Sequence, residues 1–95
     1  MNPIEEDITR YDEAIKIEPE YVPAWNGKGC ALNKLERYEE AIVCFDKAIK
    51  INPQNYHVWG NKGTVLAKQT RYEEAIICFD EVIKINPQNY HVWGN

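Results

Sequence analysis

Cysteine, histidine and paired glutamates are the side chains here whose chemistry could make a site, and their spacing speaks against each in turn. His57 and His91 lie 34 residues apart, and neither has a cysteine or acid three or four residues further on, the spacing that sets two ligands on one helix face. Cys30 has no histidine near it in sequence and no nucleophile motif around it, so nothing would draw off its proton. Glu39-Glu40 and Glu73-Glu74 could be read as acid–base pairs. Each opens a helix-patterned stretch, where carboxylates complement the helix dipole. Gly27-Lys28-Gly29 lacks the spacing of a phosphate-binding loop. No catalytic constellation and no metal or cofactor site emerges, and the chain reads as a non-enzyme.

Charge and composition narrow the partners. The chain has 95 residues, enough for one small domain with a modest core. Its net charge of −4 is uneven. Residues 1–20 carry seven acids against Arg10 and Lys16, whereas the remainder is nearly balanced. No basic face of the kind that neutralises phosphates is implied, so nucleic acid is not an expected partner. No run is long and apolar enough for a membrane helix, and no signal peptide opens the sequence. Cys30, Cys44 and Cys78 make neither a CxxC pair nor an even disulfide set, which reads as reduced thiols in a cytoplasmic protein.

Self-comparison yields the organisation. Residues 22–55 and 56–89 align without a gap at an offset of 34, with 21 of 34 positions identical. Lys50 through Asn61 recurs letter for letter as Lys84 through Asn95. Residues 1–21 align more weakly with 35–55, sharing Asp12/Asp46, Ala14/Ala48 and Pro19/Pro53 among nine positions. The chain is therefore half a repeat (1–21), two whole repeats (22–55 and 56–89) and the start of another (90–95). Asn95 falls six residues into a helix pattern, so the sequence reads as a cut from a longer array.

Within a repeat the periodicity is helical. Trp25, Gly29 and Leu32 form one stripe of a first helix over 22–35, opened by Pro23. Tyr38, Ala41, Ile42, Phe45, Ala48 and Ile49 form the stripe of a second helix over 38–51, with acids in its first turn and Lys47 and Lys50 in its last. Asn52 precedes Pro53 and ends that helix. Thr70-x-x-Glu73 predicts a capping box for the second helix of the next repeat, and Asn2-Pro3-Ile4-Glu5 a capped start for a helix over 3–17. Two-residue turns at Glu36–Arg37 and Thr70–Arg71 make the paired helices antiparallel. Gly29 and Gly63 cost about 1 kcal/mol each inside helices. Close approach should offset this, with Ala41 of the facing helix pressing against Gly29. Trp59, Phe79, Tyr72 and Ile76 are expected to pack together. One pair cannot bury both its faces, so the pairs must stack.

Trp25-x-x-Lys28-Gly29-x-x-Leu32, then Ala41-x-x-x-Phe45, Ala48 and Pro53, resembles the tetratricopeptide repeat, as does Trp59 through Pro87. The likeness extends over essentially the whole chain, in a style similar to archaeal and bacterial repeat tracts. It implies an all-α, right-handed superhelical solenoid of antiparallel helix pairs. Lys28 and Lys62 depart from the family, which usually has leucine there, and a lysine can lay its stem on the core and send its amine to water. Leu32 and Leu66 stand where tyrosine is frequent.

What the resemblance implies for function is protein binding. First helices in this family line a concave groove that holds an extended peptide. Carried over, the groove presents Asn26, Cys30, Asn33 and Lys34 from one repeat and His57, Asn61, Thr64 and Lys68 from the next. Asparagine amides, both donor and acceptor, can clamp a peptide backbone without reading its side chains. A family subset grips a C-terminal carboxylate, and Asn61 holds one position of that clamp. Asn26 and Cys30 stand where its lysine and asparagine belong, which argues against this specialised activity. The rival reading is a structural module that self-associates weakly through unfinished ends. There Tyr90 and Trp93 of one chain would meet Ile4, Ile8 and Tyr11 of the next.

Overall fold

Asn2 shows how closely the chain follows its local signals. In the computed structural model, which describes residues 2–88, its side-chain oxygen accepts the amide of Glu5 at 2.8 Å, and its Nδ2 donates to the Glu5 carboxylate at 3.0 Å. Helix α1 runs from there over Pro3–Ile17. Four more helices follow: α2 over Val22–Lys34, α3 over Tyr38–Ile51, α4 over Tyr56–Lys68 and α5 over Tyr72–Ile85. Each helix packs on its neighbours in sequence, and α3 and α5 do not pack on one another. The described residues thus form an all-α helical-repeat solenoid in which α2 and α4 are first helices and α1, α3 and α5 second helices.

The turns inside each repeat differ from the expected capping box. Glu36 and Thr70 take left-handed backbone conformations, with φ of 62° and 60°. The amide of Arg37 donates to the Leu32 carbonyl and that of Glu36 to Asn33, and Arg71 and Thr70 repeat the pattern onto Leu66 and Ala67. This is a Schellman closure of the first helix, with glutamate and threonine where glycine usually stands. Thr70 therefore ends α4 instead of capping α5. Its hydroxyl turns to the Gln69 carbonyl, and the N-cap of α5 is Arg71, without a side-chain cap. Between repeats, the indole N–H of Trp25 donates to the Pro19 carbonyl at 2.8 Å, and Trp59 does the same to Pro53 at 2.8 Å. Each tryptophan ties its helix to the proline turn that precedes it.

The core runs along the stack. Leu32, Ala41, Ile42, Cys44, Phe45 and Ala48 join Val58, Val65, Leu66, Ala75 and Cys78 in one buried cluster. Gly29 permits a close approach, though the partner is not Ala41. A methyl group there would sit 2.5 Å from the buried Phe45 ring, and one at Gly63 would meet the Phe79 ring at 2.9 Å. Trp59 is partly buried against the core, and Phe79 lies over Gly63. Tyr72 and Ile76 do not join them, because both are exposed on α5. The family-departing lysines also behave differently from expectation. Lys28 Nζ lies 2.7 Å from Asp12, and Lys62 Nζ 2.6 Å from Asp46. Their amines go to an acid on the preceding second helix instead of to open water.

Candidate functional site

Side chains on α2 and α4 meet where the two first helices run side by side. Asn61 Nδ2 donates to Asn26 Oδ1 at 2.9 Å and lies 3.5 Å from Cys30 Sγ. One helical layer further on, Lys68 Nζ donates to Asn33 Oδ1 at 3.2 Å. Both links join residues 35 apart, one more than the repeat length.

These two links gather Asn26, Cys30, Asn61, Asn33 and Lys68 onto one face. The other groove residues stand apart from them. Thr64 is exposed, with its hydroxyl turned to the Gly60 carbonyl of its own helix at 2.9 Å. Lys34 and His57 are exposed, and the His57 ring tilts against Tyr56. The asparagines are half-buried, which shields their hydrogen bonds without closing them to a ligand.

Satisfaction of the amides defines what the face can do. In the Asn61–Asn26 pair, one N–H of Asn61 and Asn26 Oδ1 are engaged. The pair still offers donors on Asn26 Nδ2 and an acceptor on Asn61 Oδ1, complementary to the C=O and N–H of an extended backbone. Lys34 and Lys68 add two ammonium groups at equivalent places in the two repeats. Burial pushes the Cys30 thiol above its ordinary pKa, and the Lys34 ammonium draws it back only in part. Cys44 and Cys78 are raised for the same first reason. A thiol held protonated is a poor nucleophile. Among the described residues no cluster of three or more metal-ligating side chains occurs.

Of the residues expected at a self-association contact, Ile8 packs against the core and the Tyr11 ring lies over Gly27 of α2. Ile4 is half-buried. Tyr90 and Trp93 fall outside the described residues. Sequence reasoning overlooked the Asp12–Lys28 and Asp46–Lys62 bridges. The signal was present, since acid and lysine recur at the same separation in both repeats. No helix among the described residues is long and apolar enough to cross a membrane.

The comparisons agree with this architecture. A model of the tetratricopeptide repeat matches residues 22–55 and 57–89. No curated protein sequence matches the chain. Among solved structures, the chain is similar to a TPR2B domain of yeast Sti1 in complex with pHsp70, at 27% identity and a TM-score of 0.82. It is also similar to the TPR domain of Arabidopsis OM64, at 26% identity and a TM-score of 0.81. The alignments cover 85% of this chain in each case and 65% and 67% of the two neighbours, so the chain spans about two thirds of either domain.

Proposed function

The chain belongs to the tetratricopeptide-repeat family, and on that premise we propose that it is a protein-interaction module that holds an extended peptide across the face of α2 and α4. The observation that carries this reading is the Asn61–Asn26 pair, which leaves the Asn26 Nδ2 donors and the Asn61 Oδ1 acceptor for a partner. Lys34 and Lys68 lie further along the same two helices, so an extended segment with acidic side chains fits best. The module is a scaffold rather than an enzyme: its thiols are kept protonated and its hydrogen-bonding groups are amides and ammoniums. The Sti1 neighbour is named as a complex with pHsp70. A C-terminal carboxylate held in the same manner is a poorer fit here. Asn26 and Cys30 engage Asn61 instead of offering an ammonium group and a free amide.

Self-association by laying α1 of one molecule over α5 of another is the weaker reading. Ile8 and Tyr11 are turned inward, and α1 has Asp7 and Arg10, ion-paired at 3.2 Å, where α3 has Ala41 and Cys44. Second helices also do not pack on one another within the fold.

An unbiased library of short peptides, selected on the full chain and ranked by calorimetry, tests the binding reading. Acidic, extended sequences should be enriched. Asn26→Ala and Asn61→Ala should each weaken the best of them by about 1–3 kcal/mol, the cost of leaving a partner unpaired. Glu73→Ala, on α5, should change nothing. Peptides that bind equally well to both asparagine variants would remove the α2–α4 face as the site.

A further inference from the structure

Lysines in this fold are held in two ways. Lys28 Nζ lies 2.7 Å from Asp12, Lys62 Nζ 2.6 Å from Asp46 and Lys84 Nζ 3.4 Å from Glu81, so a carboxylate neutralises each. Lys68 is held without one. Its Nζ donates to Asn33 Oδ1 at 3.2 Å and lies 6.0 Å from the centre of the Tyr38 ring. An amide oxygen and an aromatic face both fix an ammonium group without cancelling its formal charge. Glu39 directly follows Tyr38, but its carboxylate accepts from Gln69 at 2.8 Å and from Arg71 at 3.2 Å. Lys68 makes no ion pair among the described residues.

Lys34 stands at the same place one repeat earlier, yet its surroundings differ. The position equivalent to Tyr38 in α1 is Ile4, which offers no aromatic face. The two lysines, alike in sequence, are therefore unlike in preparation. Only Lys68 combines a fixed ammonium group with an uncancelled charge, and a group already fixed loses less freedom when a ligand arrives.

We infer that Lys68 sets which peptide the α2–α4 face accepts, by taking one acidic side chain, with Asn33 and Tyr38 as its positioning residues. This rests on the reading of that face as a peptide site. Asn26 and Asn33 are seven residues apart on α2, as are Asn61 and Lys68 on α4. The lysine level thus lies two helical turns, about 10 Å, from the amide pair. An extended chain advances about 3.3 Å per residue. A peptide whose backbone meets Asn26 and Asn61 therefore presents an aspartate or glutamate to Lys68 about three residues away.

The test uses capped peptides, a glutamate joined to one to five threonines and amidated at the C-terminus, with glutamine in place of glutamate as the neutral control. Nuclear magnetic resonance on the full chain follows the Lys68 side chain and the Asn26 and Asn61 side-chain amides. Lys68 should shift with every glutamate peptide, and the asparagine amides only once about three threonines follow. At that length glutamate should bind about tenfold tighter than glutamine, the gain from one charge-assisted hydrogen bond. Lys68→Met should abolish this preference, Asn33→Ala and Tyr38→Leu should reduce it, and Lys34→Met should leave it intact. A preference that survives Lys68→Met, or is lost in Lys34→Met, would overturn the assignment. So would an all-threonine peptide with a free C-terminal carboxylate that binds as tightly as the glutamate peptide. Glutamine peptides that move the asparagine amides as strongly as glutamate peptides would remove Lys68 as the selector and leave the peptide face standing. Asparagine amides unmoved by any peptide would remove the face itself.

Discussion

Four glycines sit in helices here, and their surroundings divide them. At Gly29 a methyl group would meet the fully buried Phe45 ring at 2.5 Å, whereas at Gly60 the nearest atom is Val82 Cγ2 at 3.7 Å. Alanine improves helix propensity by about 1 kcal/mol at either place. At Gly29 overpacking of about 1–3 kcal/mol opposes that gain. Gly29→Ala should therefore lower stability in denaturant melts, and Gly60→Ala should raise it. A stabilising Gly29→Ala would mean that Phe45 has room to move. The positive-φ residues give the converse case. Thr70 holds φ at 60° in spite of a branched side chain, so Thr70→Gly should stabilise the chain by a few tenths to about 1 kcal/mol, more than Glu36→Gly. Thiol reactivity follows burial: alkylation followed by mass should show Cys30 slow near neutral pH and Cys44 and Cys78 slower still. The folded thiols hold their protons more tightly than unfolded ones. Their contribution to stability is therefore complete below the ordinary thiol pKa and declines as pH rises through the raised values.

Helix boundaries were legible in the sequence because each depends on neighbours along the chain. Pro3 and Asn2 start α1, and Asn52 before Pro53 ends α3, at the residues their chemistry indicates. The error at Thr70 came from two local motifs competing for one residue. A threonine three residues before a glutamate resembles a cap, but the chain needed a left-handed residue there to close α4. Contacts between helices were less legible. Periodicity says which face of α2 is apolar, though not that Gly29 meets Phe45 instead of Ala41, since that depends on where along the axes the helices cross. The groove asparagines were found from the resemblance, but their direct pairing joins residues 35 apart, which a period of 34 does not display. Phe45 and Phe79 provide an element-scale test, being the same residue at the same place in two helices. Phe45→Ala should cost about 3–5 kcal/mol, as for a buried aromatic. Phe79→Ala should cost visibly less, because part of its ring already faces water. Equal losses in chemical denaturation would show that α5 is covered in solution.

At the scale of the molecule, a stack in which each helix packs mainly on its sequence neighbours, with a lesser contact between α2 and α4, has no single centre. Its stability is approximately a sum of helix terms and nearest-neighbour interfaces. The helices α2, α3 and α4 each have a neighbour on both sides, whereas among the described elements α1 and α5 each have one. The two ends are not alike. The outward side of α1 carries the Asp7–Arg10 ion pair, which water solvates readily, while α5 presents Tyr72, Ile76 and Phe79. A polar end needs no cover and loses little by standing alone, but an apolar end loses the burial that its equivalent in α3 enjoys. Local opening should follow this order, because the free energy of opening a segment rises with the apolar contacts that must be broken. Native-state hydrogen exchange, read residue by residue, should show the strongest protection in α3 and in the facing sides of α2 and α4. Protection should fall toward both ends, and α5 should exchange faster than α3 even though 11 of their 14 residues are identical. With sequence so nearly constant between the two helices, any difference in protection must come from what covers them. Equal protection across α3 and α5 would mean that the stack opens as one unit and that nearest-neighbour additivity does not describe it.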